Sequence, residues 1–236
     1  MKSKTKVMFL PGLLNDASLF EEQITALSTQ ASVGVADLTR AETIADMANE
    51  AIKEAPEGRF VLVGLSMGGY VAFEIMRRVP ERICSLILLD TSARPETPES
   101  SATRRALMNL AEIDLDMIIE QLLPKLSHPE RVSLPAVRGV IQSMAASLGK
   151  EVFIRQQKAI IDRPDSRPTL AKITCPTLVI CGREDLITPP EMAEEIAAGI
   201  KHAQLKIIEQ CGHLSTLDQP EAVGKLICSW ISDNKC

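Results

Sequence analysis

At 236 residues the chain is long enough to bury a full core, and its 45% apolar and 24% charged make-up is that of a globular enzyme-sized domain, not of a disordered or fibrous chain. A net charge of −5, with no basic run longer than Arg77-Arg78 or Arg104-Arg105, argues against a nucleic-acid partner. Only a short apolar stretch follows the basic MKSKTK start, and no segment nears the roughly 20 apolar residues of a membrane span, so neither a leader nor a membrane anchor is expected and the cytoplasm is the expected compartment.

In chain order, Val7 to Leu10 is an apolar run closed by Pro11-Gly12, which predicts a buried strand. A helix follows over Ser18 to Leu27, then a strand over Val33 to Asp37 and an amphipathic helix over Thr43 to Ala55. Phe60 to Gly64 predicts a third strand, followed at once by a turn and a helix running to Arg78. Ile83 to Leu89 is a fourth strand ending at Asp90. The alternation then stops. Residues 93–171 carry only helical patterns, over Ala102 to Ala111, Leu115 to Leu126, Leu134 to Leu148 and Glu151 to Ile161. It resumes with strands at Pro176 to Gly182 and Leu205 to Glu209, and helices over Pro190 to Ala198 and Glu221 to Ile231.

Strands alternating with helices, and apolar on both faces, predict an α/β fold: a six-stranded, all-parallel sheet with helices on both faces. The expected division is a core of residues 1–92 and 172–236, with a helical cap of residues 93–171 inserted after the fourth strand, over the carboxyl edge where such sheets bind ligands. No antiparallel strand is expected ahead of Val7.

Gly64-Leu65-Ser66-Met67-Gly68 places a serine between a strand and a helix in a G-x-S-x-G pattern. A nucleophile on so tight a turn needs small neighbours at minus two and plus two, and the turn aims its hydroxyl at a helix N-terminus. An incidental serine in a glycine-rich turn is the alternative, which the strand-turn-helix context disfavours. Such a hydroxyl needs a base to take its proton. The chain has three histidines. His202 sits at the polar end of a helix and reads as a solvated surface residue, and His128 lies in a turn of the helical insertion. His213, in Cys211-Gly212-His213-Leu214, follows the last strand and so shares an edge with Ser66. The carboxylate that would orient it is Asp185, after the fifth strand, or its rival Asp90, after the fourth.

The chain resembles the α/β-hydrolase family from Val7 to its end, apart from the insertion, which corresponds to the family's variable cap. The segment from Pro176 to Pro189, with Cys181-Gly182-Arg183-Glu184-Asp185, is similar to the family's acid-bearing segment, and Gly212 to Pro220 to its histidine segment. The order Ser66, Asp185, His213 is that of the family's triad. Small size and a helical cap resemble the serine esterase and enol-lactonase-like branch. The resemblance implies a serine hydrolase acting on a small carboxylic ester or related acyl bond, with no cofactor and no metal, and an oxyanion hole formed by the backbone N–H groups of Leu13 and Met67. Some family members carry the acid at the position of Asp90.

Two departures stand out. Pro11-Gly12-Leu13 replaces the usual His-Gly after the first strand, and Asp37-Leu38-Thr39-Arg40 replaces the usual glycine-rich loop after the second. Relatives that dehalogenate or open epoxides use aspartate at the elbow, so Ser66 argues against both. A C–C bond hydrolase or a cofactor-free perhydrolase on the same triad, or a non-catalytic ligand-binding protein of the same fold, are the alternatives.

Outside these segments, Met108, Met117 and Met144 read as helix packing or as an adaptable aliphatic pocket wall. Arg155, Arg163 and Arg167 read as anchors of the cap, through ion pairs with Asp162 and Asp165, or as receivers of a substrate carboxylate. The six cysteines show no C-x-x-C pair and read as idle or buried thiols. Zinc held by Cys211 and His213 is a weak alternative, for want of a second ligand pair.

Overall fold

Six strands, β1 (Thr5–Leu10), β2 (Ala31–Val35), β3 (Phe60–Leu65), β4 (Ile83–Leu89), β5 (Thr177–Gly182) and β6 (Gln204–Ile208), form one sheet in the order β2-β1-β3-β4-β5-β6. Every pairing is parallel. The structure, a computed structural model, describes residues 4–234. Residues 1–3, part of the stretch ahead of Val7 in which no antiparallel strand was expected, lie outside the described residues, and β1 itself begins two residues earlier than the apolar run suggested.

Strand period sorts the core into two layers. Val7 and Phe9, Val61 and Val63, and Leu178 and Ile180 face one side, with α1 (Glu21–Leu27) and α11 (Pro220–Asp233) packed on them. Met8 and Leu10, Leu62, and Val179 and Cys181 face the other, beneath α2 (Ile44–Glu54), α3 (Met67–Arg78) and α9 (Pro190–Gly199). β1 has neighbours reached by crossovers in opposite directions, so a crevice opens at the carboxyl ends of β1 and β3, the place where open parallel sheets bind ligands.

Between β4 and β5 the chain is wholly helical: α4 (Pro98–Ala111), α5 (Leu115–Leu126), the single turn α6 (Pro129–Val132), α7 (Pro135–Ile161) and the single turn α8 (Arg167–Leu170). α7 is broken at Gly149, whose φ of 77° leaves the helical region, between the two helical stretches the sequence suggests. A further turn, α10 (Ser215–Asp218), follows His213.

The cysteines hold one departure from expectation. Cys175, Cys181, Cys211 and Cys228 are free, but Cys84 is disulfide-bonded. A disulfide need leave no spacing motif to read, since it depends on which backbones the fold brings within reach. Cys236 lies outside the described residues.

Candidate active site

Ser66 joins β3 to α3 in a conformation that few residues adopt, φ 53° and ψ −115°. The chain closes this turn through Ser66 N–H to the Leu89 carbonyl (3.0 Å), and its own carbonyl accepts from Gly69 N–H (2.9 Å) and the Thr91 hydroxyl (2.8 Å). Steric space dictates the flanking glycines. A Cβ on Gly68 would stand 2.0 Å from the Leu10 carbonyl oxygen, and one on Gly64 would stand 2.6 Å from that of Gly68, so neither position admits a side chain without moving backbone.

Facing this turn is the loop after β1. A Cβ on Gly12 would lie 3.4 Å from the Ser66 Cβ, which puts Pro11-Gly12-Leu13 against the serine. Leu13 lines the same cavity as Ser66, while Met67 is buried directly behind it at the start of α3. Leu14, with φ 56°, donates its N–H to Gln156 of α7, and the Gln156 amide donates to the Leu38 carbonyl. That glutamine thereby ties together the loops after β1 and β2, where both departures from the family pattern occur.

His213 Nε2 lies 2.8 Å from the Ser66 hydroxyl, and Nδ1 lies 2.9 Å from an Asp185 oxygen. Asp185 also accepts the N–H groups of Ile187 (2.8 Å) and Thr188 (2.9 Å) and the Thr188 hydroxyl (2.8 Å). With Nδ1–H donated to the carboxylate, Nε2 is left to accept the serine proton. Asp90 stands elsewhere: it accepts Gly182 N–H (2.9 Å) and Ser215 N–H (3.3 Å), and the Ser215 hydroxyl. It therefore clamps the loop after β5 to the residues just past His213, while Asp185 is the carboxylate on the imidazole.

These buried groups shift one another. Burial pushes the His213 imidazole down, but the Asp185 charge and hydrogen bond outweigh it and leave the ring above its ordinary value of 6.5. Burial pushes Asp185 up; the imidazole charge and its four donors more than compensate and hold it below the ordinary carboxylate value. Among the described residues Asp90 has no cationic partner within hydrogen-bond distance. Burial, then the Asp185 charge, push it up to about 8, against the pull of His213, Ser215 and Gly182.

Both ring nitrogens of His213 are engaged by Ser66 and Asp185, and burial pushes the Cys211 thiol up, away from the thiolate a metal needs. The zinc reading on that pair therefore has no open ligand atoms. Asp90, Cys181 and Asp185 also lie within 4.8 Å of one another. Burial pushes the Cys181 thiol up as well, and the Asp185 oxygens already serve His213 and the 187–188 turn.

The other two histidines lie away from this chain of bonds. His128 caps α6, its Nδ1 accepting Glu130 N–H, and His202 is exposed at a left-handed turn position with φ 66°. The arginines at the end of the insertion are anchors, with partners other than those suggested. Arg163 pairs with Glu96 and lies over the Tyr70 ring, Arg155 donates to the Thr39 carbonyl, and only Arg167 pairs with Asp165.

Above Ser66 lies a cavity of about 370 Å³. Its floor is Leu13, Ser66 and His213, and its walls come from the insertion, with Leu107, Ile119, Leu126, Ile141 and Phe153 supplying aliphatic and aromatic surface. Sequence reasoning missed two groups here. Arg104 of α4 lines the cavity, and Asp218 bonds the insertion to the His213 loop: it accepts His128 N–H (2.7 Å), Gly212 N–H (2.7 Å) and the Ser127 hydroxyl. Asp218 stands in the quoted segment Gly212 to Pro220, but nothing local announces a partner 90 residues away.

The sequence pattern of the Alpha/beta hydrolase family matches residues 10–226. The chain belongs to that family. Among its relatives is a pimeloyl-[acyl-carrier protein] methyl ester esterase of Neisseria meningitidis, 29% identical over 174 residues, which span 70% of this chain and 66% of that protein. Another is the monoacylglycerol lipase ABHD6 of Mus musculus, 26% identical over 196 residues, 75% of this chain and 57% of the lipase. The chain thus spans less than two thirds of the length of these curated relatives. A thermophilic esterase from Thermogutta terrifontis, solved with malate bound, superposes with a TM-score of 0.90 at 31% identity, covering 99% of this chain and 92% of that one. The enol-lactonase of Burkholderia xenovorans LB400 shares the fold, with a TM-score of 0.88 at 24% identity over 98% and 92% of the two chains.

Proposed function

We propose that this alpha/beta hydrolase cleaves a small carboxylic ester or a related acyl bond through an acyl-enzyme on Ser66. The observation that carries the reading is the unbroken hydrogen-bond chain from the Ser66 hydroxyl through the His213 imidazole to Asp185, opening onto a cavity. Esterases among the relatives and the solved structures support the same chemistry.

In this reading the Ser66 oxygen attacks the ester carbon as His213 Nε2 takes its proton. Asp185, held ionised by its donors, stabilises the imidazolium that forms. The carbonyl oxygen, now carrying the charge, would be received by the N–H groups of Leu13 and Met67, which are main-chain donors and so do not require the histidine usual after the first strand. His213 returns the proton to the departing alcohol, and water repeats the sequence to free the acid and restore Ser66. Residues 93–171 act as the cap that encloses the acyl chain, and the partner is a small molecule, in the cytoplasm.

A series of p-nitrophenyl esters tests this. Turnover should be highest for acyl chains of roughly two to eight carbons and should fall as the chain outgrows a cavity at the small end of the ligand-site range. Hydrolysis of none of them, with turnover of a vinylogous C–C substrate or of peroxide and acetate instead, would move the reading to the C–C hydrolase or perhydrolase alternatives.

A further inference from the structure

The cavity wall supplied by α4 holds a helical stripe of Ser100, Thr103, Arg104 and Leu107, at i, i+3, i+4 and i+7, with Glu99 beside it at the start of the helix. The other walls are largely aliphatic, so an arginine there stands out. Arg104 is fixed in place, its Nε 2.6 Å from Glu96 and one Nη 2.7 Å from Gln157, a buried residue of α7. The remaining Nη2 group has no partner among the described residues.

Charge does not cancel at this spot. Glu96 serves both Arg104 and Arg163, two guanidinium groups on one carboxylate, which leaves one positive charge over. The other ionised groups on the cavity wall, Glu99 and Lys125, are of opposite sign and offset each other. Arg104 also lies near the reacting centre. After burial, Asp185 and Asp90, it is among the groups that act on the His213 imidazole, and it pushes it down. A cation that size held with a donor edge unspent, in an enclosure whose remaining wall charges cancel, matches a carboxylate on the ligand.

We propose that the substrate class is a monoester of a dicarboxylic acid, whose free carboxylate is received by the spare edge of Arg104 while its ester lies at Ser66. This rests on the hydrolase reading above. Water adds across the ester, the acyl–oxygen bond breaks, the alcohol leaves with the proton from His213, and the distal carboxylate is unchanged throughout.

The test is a matched pair of equal chain length, monomethyl adipate and methyl hexanoate, followed with the full chain by methanol release. The wild type should favour the adipate monoester in kcat/KM by tenfold or more. Arg104→Gln should reduce that ratio by about ten- to a hundredfold, chiefly through KM of the adipate ester, the range expected for a lost charged hydrogen bond, and Arg104→Lys should restore part of it. Because Glu96 and Gln157 lose a partner in the variants, a wild-type measurement stands beside them. Raising ionic strength from about 0.05 to about 0.5 M should weaken KM for the adipate ester and leave the hexanoate ester unmoved.

A wild-type ratio near one, or a ratio unchanged in Arg104→Gln, would overturn the carboxylate site while leaving ester hydrolysis standing. Failure of both esters would count against the hydrolase reading instead. In that event binding decides the Arg104 proposal: intact monomethyl adipate should raise the wild-type Tm more than intact methyl hexanoate does, and the difference should vanish in Arg104→Gln. Equal shifts would overturn it.

Discussion

Asp90 and Asp185 follow neighbouring strands, are both buried, and differ in what faces them. Asp185 meets an imidazole and three further donors; Asp90 meets a glycine N–H and a serine. From sequence alone both stood at the right edge, and only the longer family-like segment around Asp185 favoured it, because which carboxylate reaches the ring depends on loop geometry. Asp185→Asn should cost up to about ten-thousand-fold in kcat, since an amide favours the wrong imidazole tautomer. Asp90→Asn should act on stability and follow pH. With a folded value near 8 against an ordinary 3.8, the folded chain retains a proton the unfolded chain has lost, so the stability Asp90 contributes at low pH is lost as pH rises towards 8. Denaturation midpoints should therefore shift in favour of the Asn variant between pH 5 and pH 8; a constant difference would contradict the assignment. His213 carries the opposite consequence for rate. Its imidazole is raised above 6.5 and must be neutral to act as base, so kcat/KM should be lost as pH falls, with a midpoint above 6.5 in the pH–rate profile.

Elements hold these residues in register through contacts that spacing does not encode. The elbow was legible because its requirement is local: Gly64 and Gly68 face backbone, and strand, turn and helix follow one another in sequence. The seam between the helical insertion and the rest of the chain was not. Gln156 holds the loops after β1 and β2, Leu214 N–H reaches the Leu126 carbonyl (2.8 Å), and Asp218 receives three donors from two segments. Asp218→Ala would leave those donors buried with no acceptor. The expected loss is roughly 2–4 kcal/mol of stability, read from the denaturant midpoint, with a fall in kcat as the His213 loop loosens. A change within about 0.5 kcal/mol, the usual size for an uninvolved surface site, would show that the clasp is not needed.

At the scale of the whole molecule, the sheet was readable because buried parallel strands are short apolar runs bounded by turn residues, and each of the six appears within two residues of its expected start. What periodicity could not supply was the place of Arg104 on the cavity wall, since in the sequence it reads only as half of a short basic run. The central claim, that Ser66 is an activated nucleophile, is open to a direct measurement: intact mass after treatment with a fluorophosphonate. The wild type should gain one phosphonyl adduct, mapped to the peptide containing Ser66. Ser66→Ala should gain none, and His213→Ala should react far more slowly, whereas His128→Ala and His202→Ala should label as the wild type does. An unlabelled wild type, or an adduct that persists in Ser66→Ala, would contradict the account.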